Sequence, residues 1–183
     1  MLTWHCRSGL PKKTQTYIFF TIKDSSKFRS DLKRFIPLVT TVEQVLKIRD
    51  EIDEHKRKKL PGLVPCVGVN VSFSHFGLSK LGVDDSTLAP KGAEDVFTLG
   101  QKVDAVTNLG DPKNSDGLPD WEEPFLKDID GVFIIAGDSH LSTEKKKIEV
   151  ELIFKAHTPL ASLEIIDTLV GDVRPGDQDG HEQ

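Results

Sequence analysis

The sequence predicts an α+β fold in which a four-stranded antiparallel sheet carries helices on one face. Apolar segments of strand length alternate with segments of helical periodicity, in the order strand, helices, strand, helices, strand, helix, strand. This order is the β-α-β-β-α-β pattern with extra helices inserted around the second strand. Hydrophobic residues make up 37% and charged residues 29% of the 183 positions, as in globular domains. We therefore expect a ferredoxin-like sandwich.

The first strand and the first helix are indicated by composition and capping. Residues 17–22 form an aromatic and β-branched run that is apolar on both faces, which is typical of a strand covered over most of its length. Asp24 offers an N-cap oxygen to the short helix that follows. This helix must end near Ile36, because the residue before Pro37 is disfavoured in helical conformation.

A second helix is predicted from Thr40 to about Lys59. Thr40 and Glu43 have the spacing of a capping box, and acidic residues precede basic residues towards the end of the helix. The expected i,i+4 ion pairs are Asp53–Arg57 and Glu54–Lys58. This charge order is typical of a solvated helix end rather than of an interaction site.

The middle of the chain predicts one strand and two helices. Apolar residues alternate with small or polar ones over 67–73, which indicates a strand with one face on the core. Ser74 is placed to cap a short helix that Gly82 ends. A second amphipathic helix is predicted by apolar residues at i, i+3, i+7 and i+10: Val96, Leu99, Val103 and Val106.

The last part predicts a third strand over 131–137, a helix that Ser142 opens, and a fourth strand over 160–170. The expected domain covers residues 16–171. An irregular segment over 1–15 precedes it, and a turn-rich loop over 172–183 follows it.

Composition excludes several functional classes. The formal charge of −5 and the pI near 5.7 argue against a nucleic-acid footprint, which requires clustered basic residues. No apolar run approaches the roughly 18 residues of a membrane-spanning helix. Cys6 and Cys66 lie far apart and outside any Cys-x-x-Cys motif. The first ten residues lack a secretory signal pattern, and the compartment stays open.

Two acidic loops are candidates for calcium binding, and in both the ordinary turn is favoured. Four residues fit EF-hand positions, but Pro112 occupies the position of the first carboxylate. These four are Asn114, Asp116, Gly117 and Glu123. The second loop carries Asp177, Asp179 and Glu182 without a second set of ligands. The six histidines have no metal-ligand spacing, so we assign no metal ligand and no catalytic residue.

The end of the chain contains the most specific motifs of the sequence. Arg174-Pro175-Gly176 followed by Gly180-His181-Glu182 closely resembles the segment of fungal-type dye-decolorizing peroxidases that runs into their Gly-x-x-Asp-Gly motif. Other motifs resemble the N-terminal half of that family and occur along the chain in the same order as in the family. They are Phe19-Phe20-Thr21-Ile22, Val69-Asn70-Val71-Ser72-Phe73-Ser74, Gly77-Leu78 with Leu81-Gly82, Leu109-Gly110-Asp111-Pro112 with Trp121, and Gly131-Val132-Phe133-Ile134-Ile135-Ala136.

This resemblance implies one half of a dimeric α+β barrel peroxidase that binds heme b. The distal Asp of the family would lie a few residues beyond Gln183, and the proximal His and distal Arg further on, in a C-terminal half missing here. The resemblance places no catalytic residue on this chain. The candidate cofactor-binding residues are those nearest the missing motif: Arg174, His181, Glu182 and Gln183.

The resemblance also implies the partners. They are hydrogen peroxide, an oxidisable aromatic substrate such as a dye or phenol, and the missing half, with no nucleic acid and no membrane. The family begins with an Ile-Gln-Gly-Asp-Ile-Leu-like segment, where this chain has His5-Cys6-Arg7-Ser8, so we expect a chain cut at both ends. Such a chain is expected to be inactive alone and to expose an apolar face. The alternative is a non-catalytic ferredoxin-like module for interaction or ligand binding.

Overall fold

The computed structural model describes residues 13–88 and 95–173 of the chain. The strands are β1 (Thr14–Ile22), β2 (Val67–Phe73), β3 (Gly131–Gly137) and β4 (Leu163–Asp172). The helices are α1 (Ser25–Phe35), α2 (Val42–Arg57), α3 (His75–Lys80), α4 (Asp85–Leu88), α5 (Val96–Leu99), α6 (Gln101–Asp104), α7 (Glu123–Leu126) and α8 (His140–Phe154). None of the helices in these ranges is long and apolar enough to cross a membrane.

The four strands form one antiparallel sheet in the order β2-β3-β1-β4. Strands β1 and β3, which are adjacent in the sheet, are separated in sequence by β2 and most of the helices. This is the topology of the ferredoxin-like sandwich, so the predicted fold class is confirmed. A register shift at Phe19/Phe20 bends the pairing of β1 with β4.

The core lies between one face of the sheet and helices α1 and α8. Every second residue of β1 is buried, from Thr14 to Ile22. Phe20 stacks on Phe133 of β3 with ring centroids 4.7 Å apart and on Phe28 of α1 at 5.5 Å. Phe154 of α8 contacts Phe28 at 5.1 Å, which joins the two helices over the sheet. The period of two in β1 therefore sets which face of the sheet the helices cover.

Two helices begin at residues other than those predicted. The capping box of α2 is Thr41 with Gln44, because Thr40 is used elsewhere: its N–H and hydroxyl bond the carbonyl and N–H of Val69 at the edge of β2. Helix α8 begins after Ser139, whose hydroxyl accepts from the N–H of Ser142. Both predicted helix starts were wrong in position. In α2 the contact with Val69 occupies Thr40, and in α8 the hydroxyl of Ser139 caps the helix in place of Ser142.

The helix predicted over residues 96–106 is broken into shorter pieces. Gly100 has φ of +77°, a left-handed conformation that ends α5 and begins α6. A single π turn follows over Ala105–Leu109. The apolar residues that suggested one amphipathic face are consequently left largely exposed, among them Val96 and Val103.

Three further predictions concern a loop, a helix end and a strand start. The Asn114 side chain accepts from the N–H groups of Asp116 and Leu118, which makes this acidic loop an Asx turn. Arg57 pairs with Glu54 rather than Asp53, whereas the Glu54–Lys58 pair is confirmed at 3.0 Å. Strand β4 begins at Leu163 instead of residue 160, because the chain turns back on the end of α8 over residues 155–161.

Candidate functional site

The face of the sheet opposite α1 and α8 is the first candidate surface. Its β1 residues, which alternate with the buried ones, are only half-buried. The strand register aligns them with neighbours in rows across β2, β3, β1 and β4. One row is Asn70–Ile134–Tyr17–Leu169, and the next is Ser72–Val132–Phe19–Asp167. We call the eight residues of these two rows the open sheet face.

The centre of the open sheet face is apolar, and its margins are polar except at Leu169 of β4. Tyr17 and Phe19 of β1 lie beside Ile134 and Val132 of β3. One corner is covered by Phe125 of α7, whose ring meets Phe19 edge to face at 5.3 Å. A sheet with an apolar second face needs a second layer against it, so this surface is suited to packing rather than to solvent.

A buried carboxylate holds the corner of the sheet where β1 ends and β3 begins. Asp130 is fully buried, and its Oδ2 accepts from the Ile22 N–H at 2.6 Å, the Thr21 hydroxyl at 2.8 Å and the Lys80 ammonium at 2.6 Å. Its backbone carbonyl accepts from Ser74 N–H, the cap of α3. This one residue therefore links β1, β3 and the β2–α3 connection.

The opposite end of the sheet leads towards the candidate cofactor-binding residues. His140, the first residue of α8, has its Nε2 3.1 Å from Asp172 Oδ1 at the end of β4. Its Nδ1 lies 3.5 Å from the Thr14 hydroxyl. The four candidate residues Arg174, His181, Glu182 and Gln183 lie outside the described residues, and so does the second acidic loop with Asp177 and Asp179. The structure therefore leaves their role untested.

A thiol and a carboxylate with shifted pKa values lie near this end. Burial, assisted by the negative charge of Asp138, raises the pKa of the Cys66 thiol. Burial also raises the pKa of Asp138, but hydrogen bonds from Cys66 N–H and from Ser142 outweigh it and leave that pKa below its usual value of 3.8. At neutral pH the pair is a protonated thiol beside an ionised carboxylate, which disfavours nucleophilic chemistry at Cys66.

The described residues contain no cluster of metal ligands. No group of three histidine, cysteine or carboxylate side chains among them could hold a metal ion. His75 is buried in edge contact with the rings of Phe76 and Phe97. His140 and His157 lie on the surface beside carboxylates, and His157 also forms part of the wall of an open cavity at the end of α8. We derive no haem chemistry on this part of the chain.

The fold and this sheet define a family. The model of the DyP dimeric alpha+beta barrel domain matches residues 6–175, and the chain belongs to this family. Among curated proteins it is 30% identical to a dye-decolorizing peroxidase of Mycetinis scorodonius, over 95% of this chain and 29% of that protein. It is 28% identical to one of Exidia glandulosa, over 95% of this chain and 30% of that protein.

Solved structures give the same result at higher identity. A variant of the dye-decolorizing peroxidase from Pleurotus ostreatus is 49% identical, with a TM-score of 0.79, over 92% of this chain and 34% of that one. An ancestral D-type dye-decolorizing peroxidase is 49% identical, with a TM-score of 0.80, over 95% and 34%. This chain thus spans about a third of the length of the proteins that it matches.

Sequence reasoning missed Asp130 and the rows of the open sheet face. Asp130 precedes an evident strand in a stretch with several other acids, so nothing in the sequence marked it as buried. The open sheet face had one signal. Strands β1 and β3 are apolar at consecutive positions, which indicates that both faces of the sheet have partners.

Proposed function

We propose that this chain is the N-terminal ferredoxin-like half of a haem-dependent dye-decolorizing peroxidase, whose complete form oxidises dyes and phenolic compounds with hydrogen peroxide. The observation that carries the proposal is the match to peroxidase structures at 49% identity over at least 92% of this chain and 34% of theirs. One similar structure, 28% identical, holds 2,6-dimethoxyphenol, which supports a phenolic substrate.

In this proposal the chain contributes a structural half rather than the reacting groups. Its open sheet face packs against the second half, which buries Tyr17, Phe19, Val132 and Ile134. The family description as a dimeric alpha+beta barrel supports this arrangement, because two such sheets form a barrel when they face each other. By resemblance to the family, the haem ligand comes from the second half.

Haem titration of the isolated chain tests whether the reacting groups come from the second half. We expect no ligated Soret band and no peroxide-dependent oxidation of 2,6-dimethoxyphenol, since the resemblance places the iron ligand and the groups that move the peroxide proton in the second half. Turnover that rises with the concentration of the purified chain would overturn the proposal. A chain that unfolds cooperatively and associates with no second half would instead favour a stand-alone interaction module.

A further inference from the structure

We propose that the outer surface of the helix layer binds an aliphatic carboxylate, with its head group between Lys27 and Lys155 and its chain along α8. This site lies on the side of α1 and α8 that faces away from the sheet. It is therefore separate from the open sheet face and does not depend on the proposed peroxidase function. Two adjoining cavities, one polar and one apolar, carry the inference.

The polar cavity has a volume of about 230 Å³ and lies between the first turns of α1 and the end of α8. Its walls are Ser26, Lys27, Ser30, Asp31, Lys155 and Leu160. Within the described ranges Lys155 makes no ion pair, whereas the Lys27 ammonium pairs with the Asp24 carboxylate at 3.6 Å. Two ammonium groups and two hydroxyls thus supply donors to an anion.

One carboxylate faces this cavity and must be accounted for. Asp31 is buried, and its Oδ2 accepts from the Ser162 hydroxyl at 2.7 Å. Its Oδ1 lies 3.3 Å from the Arg34 guanidinium, so a cation already balances its charge. With Asp31 balanced by Arg34 and Lys27 paired with Asp24, Lys155 leaves the cavity a net positive charge, which complements a carboxylate head group.

The apolar cavity has a volume of about 570 Å³ and shares Lys155 and Leu160 with the polar one. Its other apolar walls are Ile148, Leu152, Ala156 and Pro159. Helix α8 is apolar on both sides, with Val150 and Phe154 turned to the core, while Leu152 is 70% exposed. The exposed side is therefore not explained by packing within the described chain.

The walls of this groove favour an aliphatic chain over an aromatic ring. They contain no Phe, Tyr or Trp on which a ring would stack. Their one carboxylate, Glu151, lies 3.6 Å from the ring of His157, which is also part of the groove wall. A flexible methylene chain that starts at Lys155 fits an open groove of leucine, isoleucine, alanine and proline side chains.

Calorimetric titration of the purified chain with decanoate, below its micelle concentration, tests the site. We expect one decanoate per chain with a dissociation constant of about 100 µM, as for a small ligand in a half-open site. K27E/K155E should weaken binding at least tenfold, and Leu152→Ser about fivefold. Charge-matched K47E/K56E on α2 and Val103→Ser on α6 should leave the dissociation constant unchanged.

Three results would overturn the proposal. One is equal decanoate binding by K27E/K155E, or by K27Q/K155Q if the first variant does not fold. Another is equally tight binding of decyltrimethylammonium, since its head group is a cation. The third is a dimer of the unaltered chain that Leu152→Ser dissociates in sedimentation and that binds no decanoate, because the groove would then belong to a second copy.

Discussion

At the scale of single residues, Asp130 is the side chain on which the corner of the sheet depends. A fully buried carboxylate is tolerated only when charge and hydrogen bonds compensate it. Two donors of β1 and the Lys80 ammonium do so at Oδ2, whereas Oδ1 has no hydrogen-bond partner among the described residues. Lys80 keeps its own contact with solvent, since its side chain is 42% exposed. Without Lys80, the Asp130 carboxylate would be buried with no counter-charge. Without Asp130, the Lys80 ammonium would still be in contact with solvent.

Replacement of Lys80 by methionine should therefore lower the free energy of unfolding by about 3 kcal/mol, because it leaves the buried Asp130 carboxylate without its cation. Urea denaturation followed by circular dichroism measures this loss. Lys47→Met on α2 is the matched control and should change stability by less than about 0.5 kcal/mol. Equal stability of the two variants would contradict the assigned role of Asp130.

Asp138 gives the chain a dependence on acidic pH with a definite sign. Its pKa in the folded chain lies below 3.8, because hydrogen bonds to the charged form outweigh burial. Its contribution to stability is therefore complete above that usual value and is lost as the pH falls through the lower, folded pKa. Asp138→Asn keeps an acceptor for Cys66 N–H and should reduce the slope of stability against pH below about 4. An unchanged slope in acid titrations followed by circular dichroism would rule this out.

At the scale of elements, α2 is the longest described helix without a buried residue. It has sixteen residues, of which none is buried, and Val42 and Leu46 point largely into solvent. Its order rests on the capping box of Thr41 and Gln44 and on ion pairs of Glu54 near its end. A helix held mainly by local interactions opens more readily than the strands beside it.

Thr41→Ala should speed amide hydrogen exchange in α2 about fivefold, since loss of an N-cap costs about 1 kcal/mol. Exchange in β1 and β3 should stay unchanged, because local opening of α2 does not expose the sheet. Thr40→Ala is the informative comparison, as Thr40 bonds the edge of β2 instead of the helix. If both variants sped exchange in α2 equally, Thr41 would not be its cap.

The elements also show how far the sequence could predict the structure. The apolar run over 17–22 and the period of two over 67–73 predicted β1 and β2, although β1 begins earlier, at Thr14. The capping residues Asp24 and Ser74 predicted two helix starts. The start of α2 was missed because Thr40 bonds Val69, which is distant in sequence. The break at Gly100 was missed because apolar spacing alone does not reveal a positive φ.

At the scale of the whole molecule, one face of the sheet packs on helices and forms the core, whereas the other face is apolar and only partly covered. The phenylalanines between the sheet and α1 and α8 make the helix side self-sufficient. Tyr17 and Ile134 on the open sheet face remain half-buried. The sequence could indicate that both faces are apolar, but not what covers the second one, because that partner contributes no residue to the described chain.

We infer that the open sheet face binds the second half of a peroxidase. The most direct test of this inference mixes this chain with the part of the Pleurotus ostreatus peroxidase that the chain does not match, adds haem, and measures the Soret band and the oxidation of 2,6-dimethoxyphenol by peroxide. We expect activity only in the mixture, an at least tenfold loss with Ile134→Asp, and no change with Leu152→Asp on the outside of α8. An inactive mixture of two folded parts, or full activity with Ile134→Asp, would contradict the account.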